Sequence, residues 1–290
     1  MKKISYKNIS EELIMRITEE YIAYKNNNKV TKDKRNIVNK IGRPNKISIR
    51  KAVIYAYKII NGSKLEDLVE DIKEISSYQK YIRSIKTSGI LTNIFKDTIN
   101  NLNNEKKIDL TCIHIDSTNI LNLNGHEDVS FGIKFKGKKS TKIHLAISNN
   151  YIPLSVHITG GNINDTSELN VNLKNIPLKL ESSNKKPIYI TTDKGYYSKN
   201  NFDIIETEYK LKLLCYPKKN LKKNIIHNKI MFNRMKRSYN QHKYSQRLKV
   251  ERTFSILKKF PKINIRTDKK SNVYLGTIMF AILNMIYLHL

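Results

Sequence analysis

Cysteine, acidic residues and long apolar runs are scarce in this chain of 290 residues, and these shortages exclude several classes of protein. The two cysteines, Cys112 and Cys215, are too few for a disulfide framework or a four-ligand zinc site. Both lie in apolar runs, so we interpret them as buried side chains of a protein kept in a reducing compartment. The N-terminal sequence MKKISYKNISEELIMRI has no continuous apolar stretch, which is not typical of a signal peptide.

One apolar run approaches the length of a membrane span, VYLGTIMFAILNMIYLHL at the C-terminus. Asn284 interrupts this run and His289 lies near its end, and both weaken it as a membrane segment. We therefore predict a buried C-terminal helix, with a membrane anchor as the alternative.

Basic residues are in large excess over acidic ones. The 54 Lys and Arg residues against 25 Asp and Glu residues give a net charge of +29. A surplus of this size repels itself unless a polyanion neutralises it, which favours nucleic acid as the partner and an anionic membrane surface as the second choice. The hydrophobic content of 39% is enough for a core and excludes a fully disordered chain.

Hydrophobic periodicity divides the chain into two predicted domains, residues 1–105 and 106–290. The first reads as all-helical, with helices over 8–25, 47–61, 63–72, 77–86 and 91–104. The third of these is predicted from the capping-box spacing of Ser63 and Glu66. The second domain has strand-like runs at 110–116, 141–148, 151–159, 187–193 and 211–217, with helices after the third, fourth and fifth. This order predicts an α/β fold with a mixed sheet.

Two acidic residues end predicted strands, Asp116 after LTCIHI and Asp193 after PIYITT. Groups that face ligands in open α/β sheets cluster at the carboxyl ends of the strands. Two adjacent carboxylates need a compensating charge, and oxygen ligands suit Mg²⁺ or Mn²⁺. A single aspartate at a strand end is more often a turn or cap residue, so this prediction depends on the pair.

The segment KYSQRLKVERTFSILKK is predicted as one helix that carries a polar stripe. Tyr244, Arg247, Glu251 and Lys258 are spaced so that, at about 100° per residue, they fall within roughly 60° of one another along about 21 Å. Such a stripe can add a third carboxylate to a metal site, with cations that hold phosphates beside it. The alternative is a solvated face with ion pairs between successive turns.

The spacing Y-x2-R-x3-E-x6-K of those four residues resembles the signature of the DDE transposases of bacterial insertion sequences, in the group of insertion sequences four and five. The family's first aspartate box is similar to IHIDST, which contains Asp116, and its D-x-G-Y box is similar to DKGYYS, which begins at Asp193. The resemblance covers about residues 42–290 and includes a helical N-terminal domain. Relatives usually carry a Trp in that domain near the position of Lys64, whereas this chain has no Trp.

The resemblance implies a ribonuclease H-like mixed β-sheet catalytic core with an all-helical N-terminal domain for DNA-end binding or dimerisation. It implies that Asp116, Asp193 and Glu251 are the catalytic residues and metal ligands of two Mg²⁺ ions, for which Mn²⁺ can substitute. The implied activity is hydrolytic cleavage at the ends of a mobile element, followed by transfer of the 3′-OH into target DNA. The partners are double-stranded DNA, at the terminal inverted repeats and the target, and a second copy of the chain on DNA.

By the same resemblance, Tyr244, Arg247 and Lys258 would contact DNA. Generic backbone contacts are expected from the loop KKNLKKN and from a lysine cluster that includes Lys142, with Lys134, Lys136, Lys138 and Lys139. His114 and His144 lie in strands and are interpreted as structural histidines rather than ligands.

Other functions fit the same residues. A catalytically silent or domesticated DNA-binding protein of this fold and a structure-specific nuclease of this fold would each keep the motifs. A basic RNA-binding or structural protein would need the motifs to arise by accident. No targeting segment is visible, and the implied location is inside a cell with access to DNA.

Overall fold

The structure is a computed structural model that describes residues 7–33, 47–131, 135–183, 186–216, 229–230, 233 and 240–289. It divides into two compact units. The helical unit comprises Met1–Asp97 and Lys259–Leu290, and the sheet unit comprises Thr98–Lys258. The sequence predicts a single domain over 106–290, whereas the C-terminal segment groups with the N-terminal helices.

The chain begins with four helices, which are α1 (Glu11–Asp33), α2 (Ile49–Ile60), α3 (Ile75–Thr87) and α4 (Ile90–Asn104). The boundary between the two units falls within α4. The hydroxyl of Ser48 caps α2 by accepting a hydrogen bond from the Lys51 amide. Apolar side chains at helical spacing are buried along each helix, as the periodicity predicts.

The predicted helix over residues 63–72 is wrong. The segment forms turns, followed by a single 3₁₀ turn at Ile72–Glu74 that the Asp71 side chain caps. Leu65 and Val69 are buried, and the Leu65 carbonyl accepts a hydrogen bond from the Val69 amide. Burial of these two side chains holds a compact turn in place of a helix, although the capping-box spacing is present.

In the described part of the second unit the sheet contains the strands β1 (Cys112–Asn122), β2 (Ser130–Phe131), β3 (Lys139–Ile147), β4 (Pro153–Gly160), β5 (Tyr189–Thr192) and β6 (Lys212–Cys215). The long strands lie in the order β4-β3-β1-β5-β6, and β2 pairs with the start of β3. The pairs β4–β3 and β3–β1 are antiparallel, whereas β1–β5 and β5–β6 are parallel. This open mixed sheet fits a ribonuclease H-like core.

β1 is longer than the sequence predicts, because it continues beyond Asp116 to Asn122. The alternate side chains Thr118, Ile120 and Asn122 are buried, and this period of two keeps the strand paired with β3. Asp116 therefore lies in the middle of β1, opposite Leu145, and not at its end. Asp193 does follow directly after β5, as predicted.

Four helices of the sheet unit carry or flank the candidate residues, namely α5 (Asp165–Lys174), α6 (Lys199–Asp203), α7 (Gln241–Ser245) and α8 (Leu248–Leu257). A π-helical turn, Ile204–Glu208, follows α6. The predicted continuous helix around Glu251 is wrong, because a break at Gln246 and Arg247 separates α7 from α8. Tyr244 therefore lies on a different helix from Glu251.

The C-terminal segment contains α9 (Pro261–Asn264), the short strand β7 (Ile265–Arg266) and α10 (Ser271–His289). Among the described residues, α10 is the one helix long and apolar enough to cross a membrane, and 67% of its most apolar 18-residue window is buried inside the protein. The side chain of Asn284 donates hydrogen bonds to Tyr57 Oη at 2.6 Å and to the Asn8 carbonyl. These bonds satisfy the polar residue of the run inside the helical unit, which agrees with the predicted buried helix.

Candidate active site

Asp116 is a largely buried carboxylate on the central strand of the sheet. Its side chain is 17% exposed, and its Oδ1 accepts a hydrogen bond from the Ser117 amide at 2.8 Å. Burial, with smaller contributions from the charges of Asp193 and Glu251, raises the pKa of Asp116 from 3.8 to about 6, although the hydrogen bond from the Ser117 amide and the charge of Arg247 lower it. The three predicted acids therefore lie close enough to repel one another.

Arg247 joins two of these acids. Its Nη1 donates to Asp116 Oδ2 at 3.2 Å, and its Nη2 lies 2.8 Å from Glu251 Oε1. Although burial opposes its charge, the surrounding carboxylates, Asp116 foremost, raise the pKa of Arg247. The guanidinium is a rigid planar fork, so it can neutralise two carboxylates at the same time.

Asp193 reaches the same neighbourhood from β5. Since β1 and β5 are parallel neighbours, with Ile115 opposite Thr192, the residue after each of these positions lies at the same level of the sheet. The Asp193 carbonyl accepts a hydrogen bond from Cys215 Sγ at 3.2 Å, which ties the segment to β6. The strand pairing thus brings together residues that are far apart along the chain.

The donor set of three carboxylates fits a hard divalent cation, because oxygen ligands are what such ions prefer. In the described part of the chain, however, the oxygens of the three acids do not lie within 4.8 Å of one another as a group. Arg247 is the counter-charge between two of them in this geometry. Side-chain movements are therefore needed to bring all three acids onto a shared ion.

Lys258 and Tyr244 lie on opposite sides of α8 along the chain, and both approach this site. The ammonium of Lys258 donates to Thr118 Oγ1 at 2.6 Å, and Thr118 shares a face of β1 with Asp116. The ring of Tyr244 lies 5.9 Å from the ring of Tyr216. The phenol group of Tyr244 is also among the groups that raise the pKa of Arg247.

Lys142 is placed differently from the expected DNA contact. It is buried, and its Nζ donates to the Ile163 carbonyl at 2.6 Å and to Asp165 Oδ1 at 3.0 Å. Because its ammonium is engaged inside the fold, these contacts give no support to the predicted DNA contact of Lys142.

Sequence reasoning missed Asp165 as a neighbour of the site. Its Oδ1 accepts a hydrogen bond from Ser117 Oγ at 2.7 Å, directly beside Asp116 in the chain. Tyr196 lies near both aspartates. Burial raises the pKa of Tyr196 well above 10.0, and the charges of Asp165 and Asp116 raise it as well. In the sequence, Asp165 is visible only as part of D-x-x-E in DTSEL, and acidic residues at this spacing are equally typical of the first turn of a helix. In the structure Asn164 is the N-cap of that helix, and Asp165 is its first residue.

Of the remaining basic residues, Lys136, Lys138 and Lys139 are exposed, as backbone contacts require. Lys134 and the loop KKNLKKN lie outside the described residues. His114 is fully buried and shares a 2.6 Å hydrogen bond with Thr191 Oγ1, in agreement with a structural histidine.

Comparison with known proteins gives one family. The model of the transposase DDE domain matches residues 108–285, which run from just before β1 into α10 and make up more than half of the chain. No curated protein and no solved structure matches. With the match spanning the whole sheet and all three candidate acids, the chain belongs to the transposase DDE domain family.

Proposed function

We propose that this protein is an active DNA transposase that cuts DNA at the ends of a mobile element and joins the freed 3′-OH to target DNA. The proposal is carried by one observation, the grouping of the three acids. Arg247 contacts both Asp116 and Glu251, and the charge of Asp193 raises the pKa of the same Asp116. In a chain of the transposase DDE domain family, such a group of acids is the candidate catalytic centre.

Asp116, Asp193 and Glu251 would hold two divalent ions, Mg²⁺ or Mn²⁺, as ligands. Such ions supply an activated water as the nucleophile and stabilise the leaving 3′ oxygen. The role of Arg247 follows from its contacts, since it neutralises the largely buried carboxylate of Asp116 and the exposed one of Glu251, and so allows the site to form before any cation is bound. Asp165 and Ser117 orient the segment of β1 that carries Asp116.

The nearby cations would bind the phosphates of the DNA end. Lys258 is held beside the site by Thr118, and Tyr244 would pack on or bond near the terminal nucleotide. The net charge of +29 supports a polyanionic partner. We assign DNA-end binding or dimerisation to residues 1–105, with two copies of the chain acting on the two element ends.

The test is cleavage of a DNA end in the presence of Mg²⁺ by variants that lack one acid. Asp116→Ala, Asp193→Ala and Glu251→Ala should each lower the cleavage rate by at least about 1,000-fold, since each removes a charge that the metal site needs. DNA binding should survive in all three. Glu181→Gln is the matched control, because Glu181 is an exposed acid of the same unit and should leave the rate unchanged.

Cleavage at the wild-type rate by any of the three alanine variants would show that the metal ligands are wrongly assigned. A wild-type protein that binds DNA ends but never cuts them would instead identify a silent DNA-binding protein. Joining of a pre-cut 3′ end to a target plasmid separates the third possibility, because a nuclease of this fold cuts but does not join.

A further inference from the structure

Two histidines and a glutamate meet on one face of the sheet, away from the three candidate catalytic acids in sequence. His144 of β3 is the cross-strand partner of His157 of β4. Their rings stack with centroids 4.6 Å apart and planes 7° apart. Glu168 of α5 covers the pair, with its Oε2 2.9 Å from His157 Nε2.

The hydrogen bonds around the two imidazoles define where their protons lie. The Glu168 carboxylate can only accept, so His157 donates its Nε2–H to it. Thr159 Oγ1 uses its proton on the Gly160 carbonyl, so it accepts the Nε2–H of His144 at 2.8 Å. Each ring therefore keeps a lone pair on Nδ1, and both Nδ1 atoms are buried without a hydrogen-bond partner.

An unpartnered buried nitrogen is costly unless another group satisfies it. His144 is fully buried, so water cannot do so freely. Burial lowers the pKa of His144 to about 2 and also lowers that of His157, so both rings are neutral at pH 7. A neutral imidazole is the form that binds a metal ion, because no proton has to be displaced.

The geometry agrees with one bound ion. One ligand atom from each of His144, His157 and Glu168 lies within 4.8 Å of the other two, and among the described residues this is the one such group. Zn²⁺ bound to nitrogen and oxygen at about 2.0–2.2 Å requires ligands roughly 3.5 Å apart. Binding therefore draws the three side chains together and replaces the hydrogen bond between His157 Nε2 and Glu168 with bonds to the ion. The side chains of His157 and Glu168 are each 13% exposed, so the site is not sealed from solvent.

We propose that His144, His157 and Glu168 form a site for one divalent transition-metal ion of the zinc type, distinct from the acids of the candidate active site. Two imidazoles and one carboxylate suit Zn²⁺ rather than Mg²⁺. The ion fastens α5 to β3 and β4. Because Asp165 begins α5 and holds Ser117 beside Asp116, the same ion stabilises the support of the candidate active site.

The first experiment titrates the full-length protein, treated with chelator and dialysed, with Co²⁺ as a spectroscopic probe and with Zn²⁺ as its competitor. One equivalent of Co²⁺ should give the intense visible bands of a four-coordinate ion, and Zn²⁺ should remove them. Zn²⁺ at one equivalent should also raise the melting temperature more than Mg²⁺ at the same concentration. No saturable one-equivalent binding with such bands would overturn the proposal.

Variants locate the ion. His157→Gln should weaken Zn²⁺ binding by about 100-fold or more and abolish the Co²⁺ bands. His114→Gln, which changes an equally buried histidine of the same sheet, and Asp193→Asn should keep them. Glu168→Gln preserves the size of its side chain and gives the same test if His157→Gln does not fold. Bands that survive in Glu168→Gln and His157→Gln, or vanish in Asp193→Asn, would contradict the assignment.

Discussion

Asp116 shows how a side chain of the candidate active site can reduce the stability of the protein that carries it. Its pKa is about 6 in the folded chain and 3.8 as an ordinary aspartate. Between these values the folded state binds a proton that the unfolded state does not, so stability falls as the pH rises through about 6. Asp116→Asn removes the buried charge and should raise the free energy of unfolding at pH 7.5 by about 2 kcal/mol.

Urea unfolding without divalent cations measures this effect. The gain should shrink as the pH falls through 6 and disappear below about pH 4, because the wild-type carboxyl is then protonated in both states. Asp67→Asn, at an exposed aspartate of the helical unit, is the control and should change nothing at either pH. A destabilised Asp116→Asn at pH 7.5 would show that the ion pair with Arg247 outweighs the burial of the charge.

At this same scale, the sequence predicts side chains with a fixed spacing better than it predicts their partners. Asp116, Asp193 and Glu251 stand out because each lies in a short motif. The bond from Ser117 to Asp165 spans 48 positions and has no local signature. The burial of Lys142 is equally hidden, because a lysine in a strand looks the same whether its ammonium meets solvent or a buried carboxylate.

At the scale of elements, α3 and α10 of the helical unit approach each other closely at a glycine. Gly276 of α10 packs against the backbone of Lys86 in α3, and a Cβ at position 276 would lie 2.9 Å from the Lys86 Cα and closer still to its carbonyl oxygen. Gly276→Ala should therefore cost about 2–3 kcal/mol of stability. The gain in helix propensity, about 1 kcal/mol, is too small to offset it.

The measurement is urea unfolding followed by circular dichroism. Gly89→Ala is a useful comparison, because its Cβ would meet nothing within 4 Å and its cost comes only from the φ of +84°. That strain is worth about 1 kcal/mol. Equal stability of Gly276→Ala and wild type would mean that α3 and α10 are less closely packed than described.

Element boundaries were harder to predict than element types, and the causes are physical. The segment around Glu251 has a helical period, but it breaks at Gln246 and Arg247, where the Lys249 amide bonds to the Gln246 carbonyl in a tighter turn. The guanidinium of Arg247 also bonds across to Asp116 of another strand. Contacts of this kind are tertiary, so periodicity along the chain does not report them.

At the scale of the whole molecule, the sequence predicts two domains with the C-terminal segment in the second, whereas the compact units of the structure group Lys259–Leu290 with the N-terminal helices. The run from Ser271 to His289 is apolar on nearly every side, which predicts burial but not the surface that buries it. In the structure that surface belongs to the helical unit, through residues such as Tyr57. Chain order alone carries no information on this choice.

The charge of the whole molecule gives the last prediction. A chain with a net charge of +29 that binds DNA by releasing counterions should lose affinity steeply with salt, with a slope of about −0.9 in log–log form for each phosphate neutralised. Lys258 is held beside the candidate site by Thr118. If it neutralises one phosphate there, Lys258→Ala should weaken binding and reduce the slope by about one unit.

Fluorescence anisotropy with a labelled DNA end, measured from 50 to 300 mM salt, gives both slopes. Lys107→Ala is the matched control, since Lys107 is exposed and paired with Glu105 at 2.8 Å, and it should leave the slope unchanged. The slope is more informative than the affinity, because a misfolded variant loses affinity at every salt concentration. A slope unchanged in Lys258→Ala would show that its ammonium serves Thr118 and the fold, and not the phosphates of DNA.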